Sequence, residues 1–382
     1  MKKIVFIALC ALVLSCKREK KESTPITTSL PTITKITHAT GFSIEKAAEG
    51  FTVIAVSSPW PGSEKTFKYA LVDKEKMASI TLNSEAYDAI VAVPIERLVV
   101  TSTTHIPSLE ALGVADRLVG FPNTDLISSE YTRKRILDAS VKELGNNESI
   151  NTEITISLNP EVVIGFGMNN RNKAYETIAH SNIPVVLNGD WTEESPLGKA
   201  EWIKFFAPFF QLETKADSIF SAIESSYQKT KALVAQVETK PTVLTGGLYK
   251  DVWHVAGGKS WMAQFLEDAK ADYLYKDDTG TGGISLSLEA VLAKSQQADY
   301  WLNPSMITSY SEVEKANAHY TQFKAFKNKT IFSNTLAKGS TGGLLYYEMA
   351  PMKPDLVLKD LIHIFHPELL PDYEPFFFKP LE

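Results

Sequence analysis

RLVVTSTTHIPSLEALGVADRLVG, residues 97–120, carries the pattern on which the fold turns. Arg97-Leu-Val-Val-Thr101 is a short apolar, β-branched run that predicts a buried strand, and the Ser/Thr stretch behind it predicts a loop. Ser108–Gly113 reads as helix, and Arg117-Leu-Val-Gly120 as a second strand ending at Phe121-Pro122-Asn123. Two more such units follow. Pro160-Glu-Val-Val-Ile-Gly165 predicts a third strand with a Gly-Phe-Gly turn after it, and Ile183-Pro-Val-Val-Leu187 a fourth that ends at Asn188-Gly189-Asp190-Trp191. Short apolar runs separated by helical stretches predict an α/β fold, a parallel sheet with helices on both faces.

Outward from this block the chain divides further. Residues 213–237 place apolar or small residues at 216, 219, 220, 223, 227, 233, 234 and 237 without Gly or Pro, the spacing of one long amphipathic helix. The α/β pattern then restarts: Pro241–Thr245 as strand, 260–269 as helix, Ala298–Leu302 and Thr330–Ser333 as strands, Pro354–Phe365 as the last helix. Upstream, 41–93 holds β-like runs at Phe51–Val56 and Lys68–Val72 around a loop, Ser57-Ser-Pro-Trp-Pro-Gly-Ser63. The expected organisation is a signal peptide (1–15), a tether (16–40), a small β accessory unit (41–95), an α/β lobe (96–212), a linking helix (213–237) and a second α/β lobe (238–382).

The first residues state an address. Lys2 and Lys3, the apolar stretch Ile4–Leu14 and Ser15 have the charge, length and small residue of a secretion signal. Eleven apolar residues are too few to span a bilayer, which takes about 20. Val13-Leu14-Ser15-Cys16 resembles a lipobox, which implies lipidation of Cys16 and an envelope anchor facing the periplasm. Residues 17–38 are polar and rich in Ser, Thr, Lys and Pro, so they are expected to form a flexible tether.

Composition excludes several function classes. With 382 residues, 44% hydrophobic and 22% charged, the chain has the make-up of a globular protein of two lobes. The net charge of −6 falls further once Lys2 and Lys3 leave, and nothing points to nucleic acid. Cys10 and Cys16 are the only cysteines, so a mature chain starting at Cys16 has no disulfide, zinc-thiolate site or cysteine nucleophile. Gly257-Gly258-Lys259-Ser260 is no phosphate loop, because Trp253 stands where the first glycine should be. There is no G-x-S-x-G and no H-E-x-x-H.

Pro107–Gly120, Leu158-Asn-Pro-Glu-Val-Val-Ile-Gly165 and Ile183–Val186, in that order, resemble the recurring pieces of the iron-complex and cobalamin substrate-binding proteins of ABC importers. Val255–Ser260 and Ser285-Leu-Ser-Leu-Glu289 resemble pieces of the same family's second lobe, so the likeness covers roughly 96–370. The block 41–93 and Phe365–Pro371 are similar to lipoprotein members of Bacteroidetes type. The resemblance implies two Rossmann-like lobes on a single helix, no enzymatic activity, no cofactor, and a monomer. It also implies an ABC permease with its ATPase as partner and a siderophore, haem or cobalamin as ligand. An acid on each lobe would dock the permease, with Glu110 and Glu267 as candidates.

In open α/β sheets ligands bind beyond the carboxyl ends of the strands. The loops there supply Thr104, His105, Asn123, Phe166, Met168 and Trp191 from the first lobe, and Tyr249, Trp253 and His254 from the second, a set suited to a large, flat, partly apolar ligand. Tyr347, behind Gly339–Gly343, is a candidate to close over the cleft, whereas Trp60 and Trp202 read as structural. If the ligand is haem, His254, His105 or Tyr249 is the expected axial group. The alternatives are a zinc or manganese receptor using His105, His180 and His254, and a secreted α/β hydrolase. Replacing Cys16 by Ser is expected to move the protein from the detergent phase to the aqueous phase in a Triton X-114 partition and to abolish incorporation of labelled palmitate.

Overall fold

The computed structural model describes residues 32–382 apart from Ala48, Glu148 and Asn170. The expected signal, Cys16 and most of the expected tether therefore lie outside the described residues. Of the described residues, no helix is long and apolar enough to cross a membrane.

The chain opens with a five-stranded sheet in sequential order: β1 (Thr32–Thr34), β2 (Phe42–Lys46), β3 (Thr52–Ser57), β4 (Thr66–Asp73) and β5 (Ala89–Val93). All neighbours are antiparallel except β4 and β5. The last residues of the expected tether are held in place, because buried carboxylates collect the backbone of this stretch. Glu201, with no exposed surface, accepts from the amides of Thr37, His38 and Ala39 at 2.7–3.0 Å and from Lys204 at 3.0 Å. Glu193 accepts from the amides of Thr40 and Gly41 and from the Trp202 indole. A carboxylate that gathers several N–H groups is held ionised despite burial, and the Glu201 carboxyl indeed lies below its ordinary range.

The first lobe contains β6 (Leu98–Val100), α1 (His105–Leu112), β7 (Leu118–Phe121), α2 (Glu130–Leu137) and β8 (Lys142–Glu143). A small ribbon of β9 (Gly145–Asn146) and β10 (Ser149–Ile150) follows, then α3 (Thr152–Ser157), β11 (Val162–Phe166), α4 (Lys173–His180) and β12 (Val185–Asn188). The main sheet is parallel in the order β12-β11-β6-β7-β8, a doubly wound arrangement whose direction of winding reverses between β6 and β11. Between β12 and the long linking helix the chain makes α5 (Pro196–Glu201), α6 (Ile203–Phe206) and a short 3-10 turn entered at Pro208. Trp202, Phe205, Phe206 and Phe209 from this stretch are buried in one core with Phe42, Ile54 and Tyr69 of the first sheet and with Leu98 and Val100. The N-terminal sheet is thus welded to the first lobe rather than appended to it.

Helix α7 (Glu213–Ala232), about 30 Å long by its rise, joins the lobes. Ala216 and Phe220 belong to the first lobe's core and Tyr227 to the second's, where its hydroxyl donates to Asp268 at 2.6 Å. The helix stops five residues short of the expected 237, because Leu233–Val237 unwind into turns that sink Val234 into the second lobe.

That lobe holds β13 (Thr242–Thr245), β14 (Gly247–Tyr249), β15 (Val252–Ala256), α8 (Trp261–Asp268), β16 (Asp272–Tyr273), β17 (Gly283–Leu286) and α9 (Leu288–Ser295). After them come β18 (Tyr300–Leu302), α10 (Tyr310–Ala316), α11 (Lys324–Lys327), β19 (Ile331–Ser333), α12 (Leu345–Met349), α13 (Pro354–Phe365) and β20 (Lys379–Pro380). Its main sheet runs β16-β13-β18-β19-β20, parallel except at β20, beside an antiparallel β14-β15-β17 sheet. Replacing Glu201 by Ala orphans the amides of 37–39 and takes one partner from the Lys204 ammonium, which keeps the Lys35 carbonyl and Asp217, and is expected to cost about 3 kcal/mol. Chemical denaturation measures the loss, and faster amide exchange confined first to 37–41 identifies its origin.

Candidate functional site

A cleft of about 810 Å³ opens between the lobes, walled by three tryptophans from three parts of the chain. Trp191 stands on the turn after β12 and Trp261 at the first position of α8, while Trp60 comes from the loop between β3 and β4. Polar groups between them are Glu194 and Lys199 of the first lobe, His254 and the Thr281–Gly283 backbone of the second. The volume falls within the roughly 300–1,000 Å³ of sites that take a small organic molecule, and far exceeds what a bare metal ion needs. Among the described residues, no group of three or more His, Cys, Asp or Glu is placed to hold a metal ion.

Lys199 is the buried cation of this wall. Its ammonium donates to the carbonyls of Asp190 (2.9 Å) and Trp191 (3.2 Å) and lies 5.0 Å from the Trp261 ring of the opposite lobe. Burial lowers its pKa below the ordinary lysine value, against the pull of Asp190 and Glu193. An ammonium has three N–H groups, of which these carbonyls account for two. The site offers indole faces, one cation and an imidazole to a flat ligand, with the carboxylates of Glu193 and Glu194 on the first-lobe side.

The sequence-predicted residues separate into groups. Trp191 and His254 are brought together in the cleft, with His254 exposed on β15 and its Nδ1 3.4 Å from the Ser285 hydroxyl. Thr104, Asn123, Phe166, Met168, Tyr249 and Tyr347 do not line this cavity. The Thr104 hydroxyl is spent on Asp190 at 2.6 Å. Asn123 takes the left-handed conformation (φ 54°), and its amide donates to Glu143 and Gly145. Phe166 ends β11 half-buried, while Met168, Tyr249 and Tyr347 are exposed surface aromatics or thioether.

Two candidates are corrected outright. Trp253 is fully buried, its indole donating to the Thr245 carbonyl at 3.1 Å and packing on Trp301 and Phe323. The glycine-flanked stretch read as a loop is a β-hairpin turning at Lys250 and Asp251, both with positive φ, and alternation along β15 sends Trp253 inward and His254 outward. His105 is also fully buried, edge-on to Phe206, with both ring nitrogens unpartnered and Asp190 4.0 Å away. An axial role for His105 is therefore incompatible with this arrangement. His180 is exposed on α4, so the three histidines expected of a metal receptor do not share one environment. In the other direction, Trp60 was expected to be structural and instead faces the cleft, and Trp261 and Lys199 went unrecognised.

Of the two docking candidates, Glu267 is exposed on α8. Glu110 is half-buried on α1, its carboxylate held by the hydroxyls of Ser129 and Thr132. Close by, Glu348 of α12 reaches from the second lobe to accept from the amides of Ser128 and Ser129, at 2.5 and 2.9 Å. Its burial, with Glu110 beside it, raises its pKa above the ordinary carboxyl value despite those two amides.

Two doubly wound lobes on one helix, with a ligand-sized cleft between them, define a two-lobed solute receptor. Residues 98–335 match the family described as periplasmic binding protein, and the chain belongs to that family, whose members bind solutes for ABC transport. An uncharacterized lipoprotein of Methanocaldococcus jannaschii is 26% identical over 404 residues, covering 98% of this chain and 94% of that one. Among solved structures, a possible iron-binding (periplasmic solute-binding) protein of Staphylococcus epidermidis aligns with a TM-score of 0.56 at 18% identity, over 71% of this chain and 99% of that one. A periplasmic heme binding protein of Pseudomonas aeruginosa aligns at 0.57 and 17%, over 75% and 98%. At these identities the structural likeness establishes the fold.

His105 supplies a pH prediction. Burial pushes its pKa below the ordinary 6.5, against Asp190 and Asn188, so the folded state disfavours protonation. Its contribution to stability is present above pH 6.5 and is lost as the pH falls below it. Thermal melts between about pH 7.5 and about pH 5.5 should show a smaller loss of stability in His105→Leu than in the unmodified protein.

Proposed function

We propose that this protein captures an iron complex (a siderophore or haem) or cobalamin between its lobes and hands it to an ABC permease and its ATPase. The observation that carries this reading is the cleft: three indoles, one ammonium and one imidazole around about 810 Å³. Such a wall matches a large, flat, partly apolar complex with acidic edges, and the structural relatives described as iron-binding and heme-binding run in the same direction. His254 is the cleft's exposed imidazole and so the residue available for axial contact if haem is the ligand. Transport itself needs no bond made or broken in this chain. Capture needs the lobes to approach, and the single helix α7 implies a modest closure.

In this reading the chain acts as a monomer held in the envelope by a lipid on Cys16, facing the periplasm. One acyl chain binds a membrane only marginally, so an anchor with two or more chains is what would keep the receptor at its permease. Glu267, exposed on the second lobe, is the better of the two permease contacts, because the Glu110 carboxylate is already engaged.

Tryptophan fluorescence titration of the chain without its first 16 residues tests the reading against haemin, a ferric tris-catecholate, a ferric tris-hydroxamate and cyanocobalamin. Saturable quenching by one of them is expected, weakened by about tenfold in Lys199→Ala if the ligand has an acidic edge. Quenching by none of the four overturns it, and saturable binding of free zinc or manganese instead would favour the metal-receptor alternative.

A further inference from the structure

The N-terminal sheet has no counterpart in the two-lobe plan, yet its β3–β4 loop lies on the ligand side of the first lobe. Trp60 is seated against Gly167, directly behind the carboxyl end of β11, where a Cβ would come within 2.8 Å of the indole. Pro59 lies over Gly189 behind β12, where a Cβ would stand 3.1 Å from the Pro59 Cα. Glycine at both strand ends is what lets the loop approach so closely. Two hydrogen bonds then fasten it: the Trp191 indole N–H donates to the Pro59 carbonyl at 3.1 Å, and the Thr192 hydroxyl to that of Ser58 at 3.3 Å. Behind the loop, Trp60 packs edge-on against Phe67 of β4, so the indole is braced from the sheet side as well.

The position has chemical meaning. β11 borders the point where the first sheet reverses its winding, the place at which open α/β sheets receive their ligands. We propose that residues 57–62 are a fixed wall of the binding cleft, and that Trp60 is a specificity-determining residue that stacks on the bound molecule. This deepens the receptor reading above by naming the ligand's shape. A planar aromatic or macrocyclic face lies against Trp60, and an acidic edge turns to Lys199 on the same wall. The N-terminal sheet is accordingly part of the receptor's selectivity, and lobes without it would bind a different or broader set of molecules.

The test uses a probe that does not depend on which complex is the natural ligand. Anilinonaphthalene sulfonate, an aromatic anion with a flat naphthalene face, should bind the unmodified protein saturably at one site. Trp60→Ala should weaken it roughly tenfold or more, Trp60→Phe by much less. Gly167→Ala, which displaces the indole from the opposite side, should weaken it as Trp60→Ala does, with melting temperature and circular dichroism checked for each variant. The same variants are titrated with haemin, the two ferric chelates and cyanocobalamin. Dye binding unchanged in both Trp60→Ala and Gly167→Ala overturns the inference, as does the absence of saturable dye binding by the unmodified protein. A dye site lost with Trp60 in a protein that binds none of the four complexes supports the wall and refutes the iron-complex and cobalamin reading alone.

Discussion

Two buried carboxylates hold this structure in its working shape. Glu193, ahead of α5, and Glu201, at its last position, gather the amides of five consecutive residues, Thr37–Gly41, and so fix the point at which the chain enters the first sheet. An extended segment has no helix or sheet to satisfy these donors, and burying them unpaired would cost about 1–3 kcal/mol apiece. Lys204 and the Trp202 indole complete the two clusters, tying the same segment to the aromatic core under the sheet. Everything that follows inherits this placement. Once β2 is set, β3 and β4 follow by register, and the loop between them can land only on the ends of β11 and β12.

The cleft is consequently assembled from three sources whose relative positions are set by different forces. Hydrogen bonding and glycine contact set the β3–β4 loop, helix packing sets α8, and the turn after β12 is held by Lys199 and by the Asn188 side chain, which accepts from the Asp190 amide. Lys199 connects two of them, since it caps the carbonyls of one lobe and faces an indole of the other. Its burial beside Trp261 illustrates how a lysine is tolerated under cover: the stem packs while the ammonium keeps named acceptors.

Much of the α/β organisation was legible because buried parallel strands are short, uninterrupted apolar runs. Val162–Phe166, Thr242–Thr245 and Ile331–Ser333 each lie within a residue or two of the expected positions, and Pro354–Phe365 matches at both ends. The site was less legible. Trp253 and Trp60 exchanged roles, because glycine neighbours signal a turn without saying which side of a hairpin faces inward. The alternation Val252-Trp253-His254-Val255 held the missing information, since a period of two puts Trp253 and Val255 on one face. Lys199 could not have been found that way. A lysine in an apolar helix looks like a solvated charge until the carbonyls of Asp190 and Trp191, brought there by the turn after β12, supply its partners. The anchoring of Thr37–Gly41 had no local signal either, as it depends on two glutamates more than 150 residues away.

The contact of Glu348 with the amides of Ser128 and Ser129 has a kinematic consequence. With α7 alone, two rigid lobes could bend, swivel and twist about a single post. Glu348 adds a second attachment, and it is not isolated: beside it the Thr341 hydroxyl donates to the Asp125 carbonyl at 2.8 Å, and Met352 packs into the first lobe's core. Any relative travel of the lobes has to carry this whole seam with it, which favours a small displacement over a wide swing.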